Sequence, residues 1–131
     1  MKTHVFRLHR GDDLYLNLKN YCRMKGIQAG IVISGVGCVT QGRIRDASGV
    51  NIQTLQEHLE IVSLNGTVSE QRCHLHIAFS KEDLSTVGGH LVEGCLINTT
   101  CEIAILEFDD LVFSKEFDES TGYHELKISQ K

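Results

Sequence analysis

The sequence predicts an α+β fold, a mostly antiparallel β-sheet curled on itself with one or two helices. Three observations carry this. About seven short segments are rich in β-branched and aromatic residues and bounded by turn signals, the pattern of strands. Only the stretch from Asp12 to Gly26 repeats its apolar residues at helical spacing. Proline is absent while glycine occurs 12 times, so every bend in the chain falls to glycine.

Thr3 to His9 reads as the first strand, with Val5, Phe6 and Leu8 apolar and Gly11 as its break. Asp12 or Asp13 then offers an N-cap, Leu14, Leu18, Tyr21 and Cys22 form one apolar helix face, and Gly26 closes the helix. Lys19, Arg23 and Lys25 toward its end suit the helix dipole. Ile27 to Val39 is an apolar run broken by Gly35 and Gly37, which predicts a buried strand with a bend or bulge. Gln41 to Asp46 continues as strand up to a turn at Ser48-Gly49. Ile52 to Leu59 and Glu60 to Val68 are two further strands, although Ile61, Leu64 and Val68 do not alternate cleanly. Cys73 to Ile77 alternates well. Lys81 to Val87 is polar and compatible with a short helical turn, Cys101 to Phe108 is another strand, and the tail folds as a hairpin around Ser120-Thr121-Gly122. The chain is expected to form a single domain over residues 1–131.

Composition narrows the functional classes. An apolar fraction of 41% with 23% charged residues is that of a soluble globular protein. No run of apolar residues is long enough to cross a membrane, and the N-terminus lacks the apolar core of a signal peptide, so a cytoplasmic location is expected. The net charge of -4 argues against a general binder of nucleic-acid backbone; Arg43 and Arg45, with Lys2, Arg7 and Arg10, read as solvated surface charge. Cys22, Cys38, Cys73, Cys95 and Cys101 are odd in number and form no C-x-x-C pair, which fits reduced thiols packed as small hydrophobes.

The candidate chemistry lies in Cys-His-Leu-His-Ile, residues 73 to 77. Residues two apart on a strand share a face, so His74 and His76 present paired imidazoles while Cys73, Leu75 and Ile77 face the other way. His90, after Gly88 and Gly89, offers a third nitrogen if the glycines let the backbone turn tightly or approach another strand. Three neutral imidazoles with a position left open is the ligand set of catalytic zinc, and nickel, copper and iron also accept imidazole. In a chain with seven histidines, a chance His-x-His on a half-buried strand is the competing explanation. Glu60 and Ser63 are the polar residues of an otherwise strand-like run, and Glu60 is the candidate for proton transfer.

These motifs, taken in order, resemble the plants-and-prokaryotes-conserved domain, the PPC or PCC family, over nearly the whole chain. The resemblance rests on Ile-Val-Ile-Ser-Gly-Val-Gly-Cys at 31 to 38, Leu-Glu-Ile-Val-Ser-Leu-Asn-Gly-Thr at 59 to 67, Cys-His-Leu-His-Ile at 73 to 77, Gly-Gly-His-Leu-Val-Glu-Gly at 88 to 94 and Thr-Cys-Glu-Ile-Ala-Ile at 100 to 105. It implies a homotrimer and a histidine cluster, His74, His76 and His90, that holds a divalent metal, zinc by its donor set. Plant members join this domain to an AT-hook of the form Arg-Gly-Arg-Pro; this chain has none, and it carries Glu57-His58-Leu59 where those members place Gly-Arg before an aromatic. Direct DNA binding, a label the family often bears, is therefore not expected. The fold is also similar to that of acetolactate decarboxylase, a zinc enzyme with three histidines.

Two functions follow from these expectations. The first is a small trimeric metal-bearing module that binds protein partners or regulates them. The second is a metal-dependent lyase or hydrolase acting on a small oxygen-rich substrate, with Glu60 moving the proton.

Overall fold

The computed structural model describes residues 1–131. In chain order the elements are β1 (Lys2–His9), α1 (Leu14–Lys25), β2 (Gly30–Arg45), β3 (Ile52–Leu55), β4 (Leu59–Val68), β5 (Cys73–Ser80), β6 (Thr86–Leu91), β7 (Leu96–Glu107), β8 (Leu111–Asp118) and β9 (Tyr123–Gln130). No helix is long and apolar enough to cross a membrane.

The helix begins where Asp13 caps it. One carboxylate oxygen accepts from the Leu16 N–H at 3.0 Å and the other from the Gly94 N–H at 2.7 Å, which ties the helix start to the turn before β7. Asp12 turns back instead to accept from the His9 N–H at 2.8 Å. At the far end Gly26 takes the left-handed conformation, φ 62°, and the Ile27 N–H donates to the Cys22 carbonyl at 3.0 Å. Leu14, Leu18 and Cys22 on its inner face join one apolar cluster with Leu75, Phe79, Ile103 and Ile105 of the sheet. Each such leucine contributes about 1.5–3 kcal/mol on burial, so this face holds the helix against the sheet.

All seven sheet strands pair antiparallel, in the order β1-β7-β2-β4-β5-β6, with β3 beside β2. The sheet closes because β2 is long and bent. Its first part pairs with β4 and β7, and its end pairs with β6 through Ile44↔Leu91 and Arg45↔His90. Three register shifts between β2 and β7, one of them at Gly37/Cys38, supply the curvature. The bulge expected near Gly35 and Gly37 is thus present, and the segments expected over Ile27 to Val39 and Gln41 to Asp46 form one strand.

Other boundaries differ from expectation for local reasons. The strand expected to reach Leu59 stops at Leu55, and Leu59 opens β4. The broken alternation of Ile61, Leu64 and Val68 comes from a register shift between Ile61 and Ser63, which leaves Val62 as the extra residue of a bulge. Lys81 to Val87 contains no helical turn: the Asp83 carboxylate accepts from both the N–H and the hydroxyl of Ser85, an Asx turn that leads directly into β6. The strand expected from Cys101 is the second half of β7, which starts at Leu96. The C-terminal hairpin is present as β8–β9, a two-stranded sheet anchored by the Phe113 N–H donating to the Gln28 carbonyl at 2.8 Å.

Candidate metal centre

Strand β5 sends Cys73, Leu75, Ile77 and Phe79 into the core and turns His74 and His76 outward. On its neighbour, His90 lies directly opposite His76, so the pleat sets it on the same face. Ring centroids are 5.2 Å apart for His74 and His76, 5.3 Å for His74 and His90, and 5.6 Å for His76 and His90. One nitrogen from each ring lies within 4.8 Å of the other two. The three candidate ligands are therefore brought together.

Two glycines make this packing possible. Gly89 lies in the interior of β6, not in a turn, and β6 there is squeezed between β5 and the end of β2; a Cβ would stand 2.6 Å from the Arg45 carbonyl oxygen. Gly66 of β4, at φ 148°, lies against β5, and a Cβ on it would come 2.0 Å from the His74 carbonyl oxygen.

Burial and neighbouring positive charge keep two of the rings unprotonated. Burial holds the His90 imidazole down at about 4, with Arg45 and His74 adding to the effect. His74 is lowered by burial first, then by Arg72 and His76. Both rings are neutral at pH 7, the form that donates a lone pair to a metal. Arg72 Nη2 donates to His74 Nδ1 at 3.4 Å. Cys73 takes no part, its buried thiol facing the Ser69 carbonyl at 3.8 Å.

A cavity of about 390 Å³ opens beside the cluster. Arg45, Arg72, His74 and His90 form one wall, and Lys115, Tyr123, His124 and Glu125 of the C-terminal hairpin form the other. A larger depression of about 540 Å³ lies at Glu57, Lys81 and Glu82, away from the histidines and without an apolar wall.

Glu60 is not brought to the cluster. It is exposed opposite Ser80, four residues along β5 from His76, a separation of about 13 Å. A carboxylate beside His74 is Glu125, which no local sequence signal marks because it arrives from the hairpin. Arg45 is not the solvated charge expected of it: it is half-buried, and its Nε is sealed from solvent with no hydrogen-bond partner. Arg72 was equally unmarked. Its place one residue before the Cys-His-Leu-His motif was the one available signal.

Residues 1–109 match the model of the Plants and Prokaryotes Conserved (PCC) domain. The chain belongs to the PCC domain family. The PCC fold is matched by a hypothetical protein from Salmonella cholerae-suis at TM-score 0.96 and 31% identity, covering 99% of this chain and 94% of that one. A metal-containing protein from Archaeoglobus fulgidus matches at TM-score 0.83 and 30% identity, covering 97% and 94%. In sequence, the bifunctional protein GlmU of a Synechococcus strain is 38% identical over 130 residues, 99% of this chain. The chain spans only 21% of that protein's length, so the PCC unit there is part of a larger polypeptide. The hairpin β8–β9 lies beyond the residues that match the PCC model.

Proposed function

We propose that this PCC domain is a metal-binding regulatory module in which His74, His76 and His90 hold one divalent cation, zinc by the donor set. The observation that carries this is the convergence of three imidazole nitrogens within 4.8 Å, on the outer face of the sheet and beside an open cavity. The residues fit such a cation: two of the rings are held neutral, and the cationic group in contact with them, Arg72, engages one nitrogen of His74 alone. The metal-containing relative supports the assignment. A homotrimer fits the exposed side chains of Val5, Ile33, Val36 and Val62 on β1, β2 and β4, an apolar surface suited to subunit contact. A nucleic-acid target is not part of the proposal, since the basic residues at the site line a cavity and form no stripe.

Elemental analysis of untagged protein, with His76→Ala in parallel, tests the metal. One metal per chain in the wild type, lost in the variant, is the expected result; a wild type that takes up no added zinc sinks the proposal. Light scattering checks the trimer, and a monomer would count against it.

The cavity favours a second function, a metal-dependent lyase or hydrolase. A bound divalent cation would supply Lewis acidity toward a carbonyl or water. Within the chain, Glu125 is the carboxylate placed to accept or deliver a proton there, and Glu60 would act only if another subunit carried it to the site. Turnover of a small carbonyl acid that Glu125→Gln abolishes, with metal content intact, would establish an enzyme.

A further inference from the structure

We propose that the cavity beside the histidines is an oxyanion site, in which Arg45, Arg72 and Lys115 receive the carboxylate or phosphate group of a small ligand whose remaining oxygens face the metal-binding imidazoles of His74 and His90. The last part of this rests on the metal assignment above; the anion contacts do not.

Charge is the first ground. Three cationic side chains border the cavity and one carboxylate, Glu125, opposes them. The chain as a whole carries an acidic excess, 17 Asp and Glu against 13 Lys and Arg, so this local surplus runs against its composition. The second ground is the absence of anionic partners. The chain's ion pairs are Met1–Asp109, His4–Glu107, His9–Asp12 and Lys81–Glu57, and neither Arg45 nor Arg72 takes part in one. The sealed Arg45 Nε has no hydrogen-bond partner at all. Arg45 is half-buried, lines the cavity and has no ion-pair partner for its guanidinium within the chain, and a bidentate oxyanion is the ligand that best satisfies such a fork of donors.

The third ground ties the anion to the metal. Arg72 can only donate, so the His74 Nδ1 that receives it bears a lone pair, and the proton of the neutral ring sits on Nε2. A metal on Nδ1 uses that lone pair; a metal on Nε2 moves the proton to Nδ1. Either way the hydrogen bond ends and the Arg72 guanidinium is released to the cavity, where the cation adds its own attraction. Metal loading should therefore tighten anion binding. A volume of about 390 Å³ suits a small organic acid or phosphate ester.

Calorimetric titration of the full chain, metal-free and zinc-loaded, tests this with malonate, inorganic phosphate and uncharged malonamide. Malonate or phosphate is expected to bind and malonamide to be silent, and whichever anion binds more tightly identifies the group as carboxylate or phosphate. Arg45→Gln and Arg72→Gln should each weaken the anion by about tenfold to a hundredfold, the usual loss for a charge-assisted hydrogen bond. Lys115→Gln, on an exposed hairpin position that the fold does not depend on, should weaken it by a smaller factor. Zinc content, measured separately, should be unchanged in Arg45→Gln and Lys115→Gln. If zinc does not bind while metal-free protein takes up anion in an Arg45-dependent way, the metal assignment fails and the anion site stands. Zinc uptake with no anion binding, or anion affinity equal in wild type, Arg45→Gln and Lys115→Gln, overturns the site. Equal anion affinity with and without zinc overturns the coupling through Arg72.

Discussion

Replacing Gly66 by alanine should be among the most damaging single-methyl additions in this chain. The new Cβ would stand 2.0 Å from the His74 carbonyl oxygen and 2.9 Å from the Leu75 Cα, both backbone atoms of the paired strand, so no side-chain rotation relieves the clash. Strands β4 and β5 must separate around Gly66↔Leu75 and Thr67↔His74. Losing about two ladder hydrogen bonds at roughly 1 kcal/mol each, and placing a Cβ at φ 148°, which adds about 1–2 kcal/mol, gives a total of about 3–4 kcal/mol. For a chain of this size that lowers the melting temperature by about 10–15 °C. Gly26→Ala is the control, because its φ is also positive, 62°, while nothing lies within 4 Å of its added Cβ. It should lose only the conformational part, about 1–2 kcal/mol. Urea unfolding of both variants without metal is the assay. The steric reasoning is refuted if Gly66→Ala is no less stable than Gly26→Ala. Because the His74 backbone must shift, Gly66→Ala should also bind zinc more weakly in proportion to its distortion.

Two further outcomes follow from the buried titratable groups. An unfolded imidazole takes up a proton near 6.5, whereas folded His90 stays neutral down to about 4, so between those values the unfolded state binds more protons and stability falls as pH falls. The denaturation midpoint of metal-free protein should be insensitive to this ring above about 6.5 and decline toward 4, with a shallower decline in His90→Asn; an identical slope in that variant would refute the assignment. Asp46, Asp83 and Asp118, held below the usual carboxylate range by hydrogen bonds from Ser48, Ser85 and Ser120, titrate below this window. Among the thiols, burial pushes Cys95 up to about 11 and Cys101 up to about 12; the hydrogen bond between Cys22 and Cys73, more than burial, raises Cys22 and lowers Cys73; all four are buried, while Cys38 alone is partly exposed. A thiol reagent at pH 8 should therefore label one cysteine per native chain quickly, and Cys38→Ala should remove that fast phase; two or more fast thiols would show that the core opens readily.

Elements whose signals are local could be read from the chain alone. Helix α1 was legible from Asp13, the Leu14-Leu18-Cys22 face and Gly26, since capping and helical periodicity act within one or two turns. The pairing of His74 with His76 was legible for the same reason, because a strand's alternation is fixed by the backbone of its own residues. The position of Glu60 was not legible, because a polar residue in a strand carries no information about which end of the neighbouring strand it meets. Tertiary structure decided that through the register Glu60↔Ser80, and it placed His90 beside the pair through the register His76↔His90. It also decided the fate of Arg45 and Glu125. The end of β2 reaches the site because the sheet closes on itself, and the hairpin reaches it from about 50 residues further along the chain, beyond the range of any local spacing rule. What no local pattern encodes is which charged groups share one cavity, because that depends on strand order and on the bend of β2, both set by contacts between residues far apart in sequence.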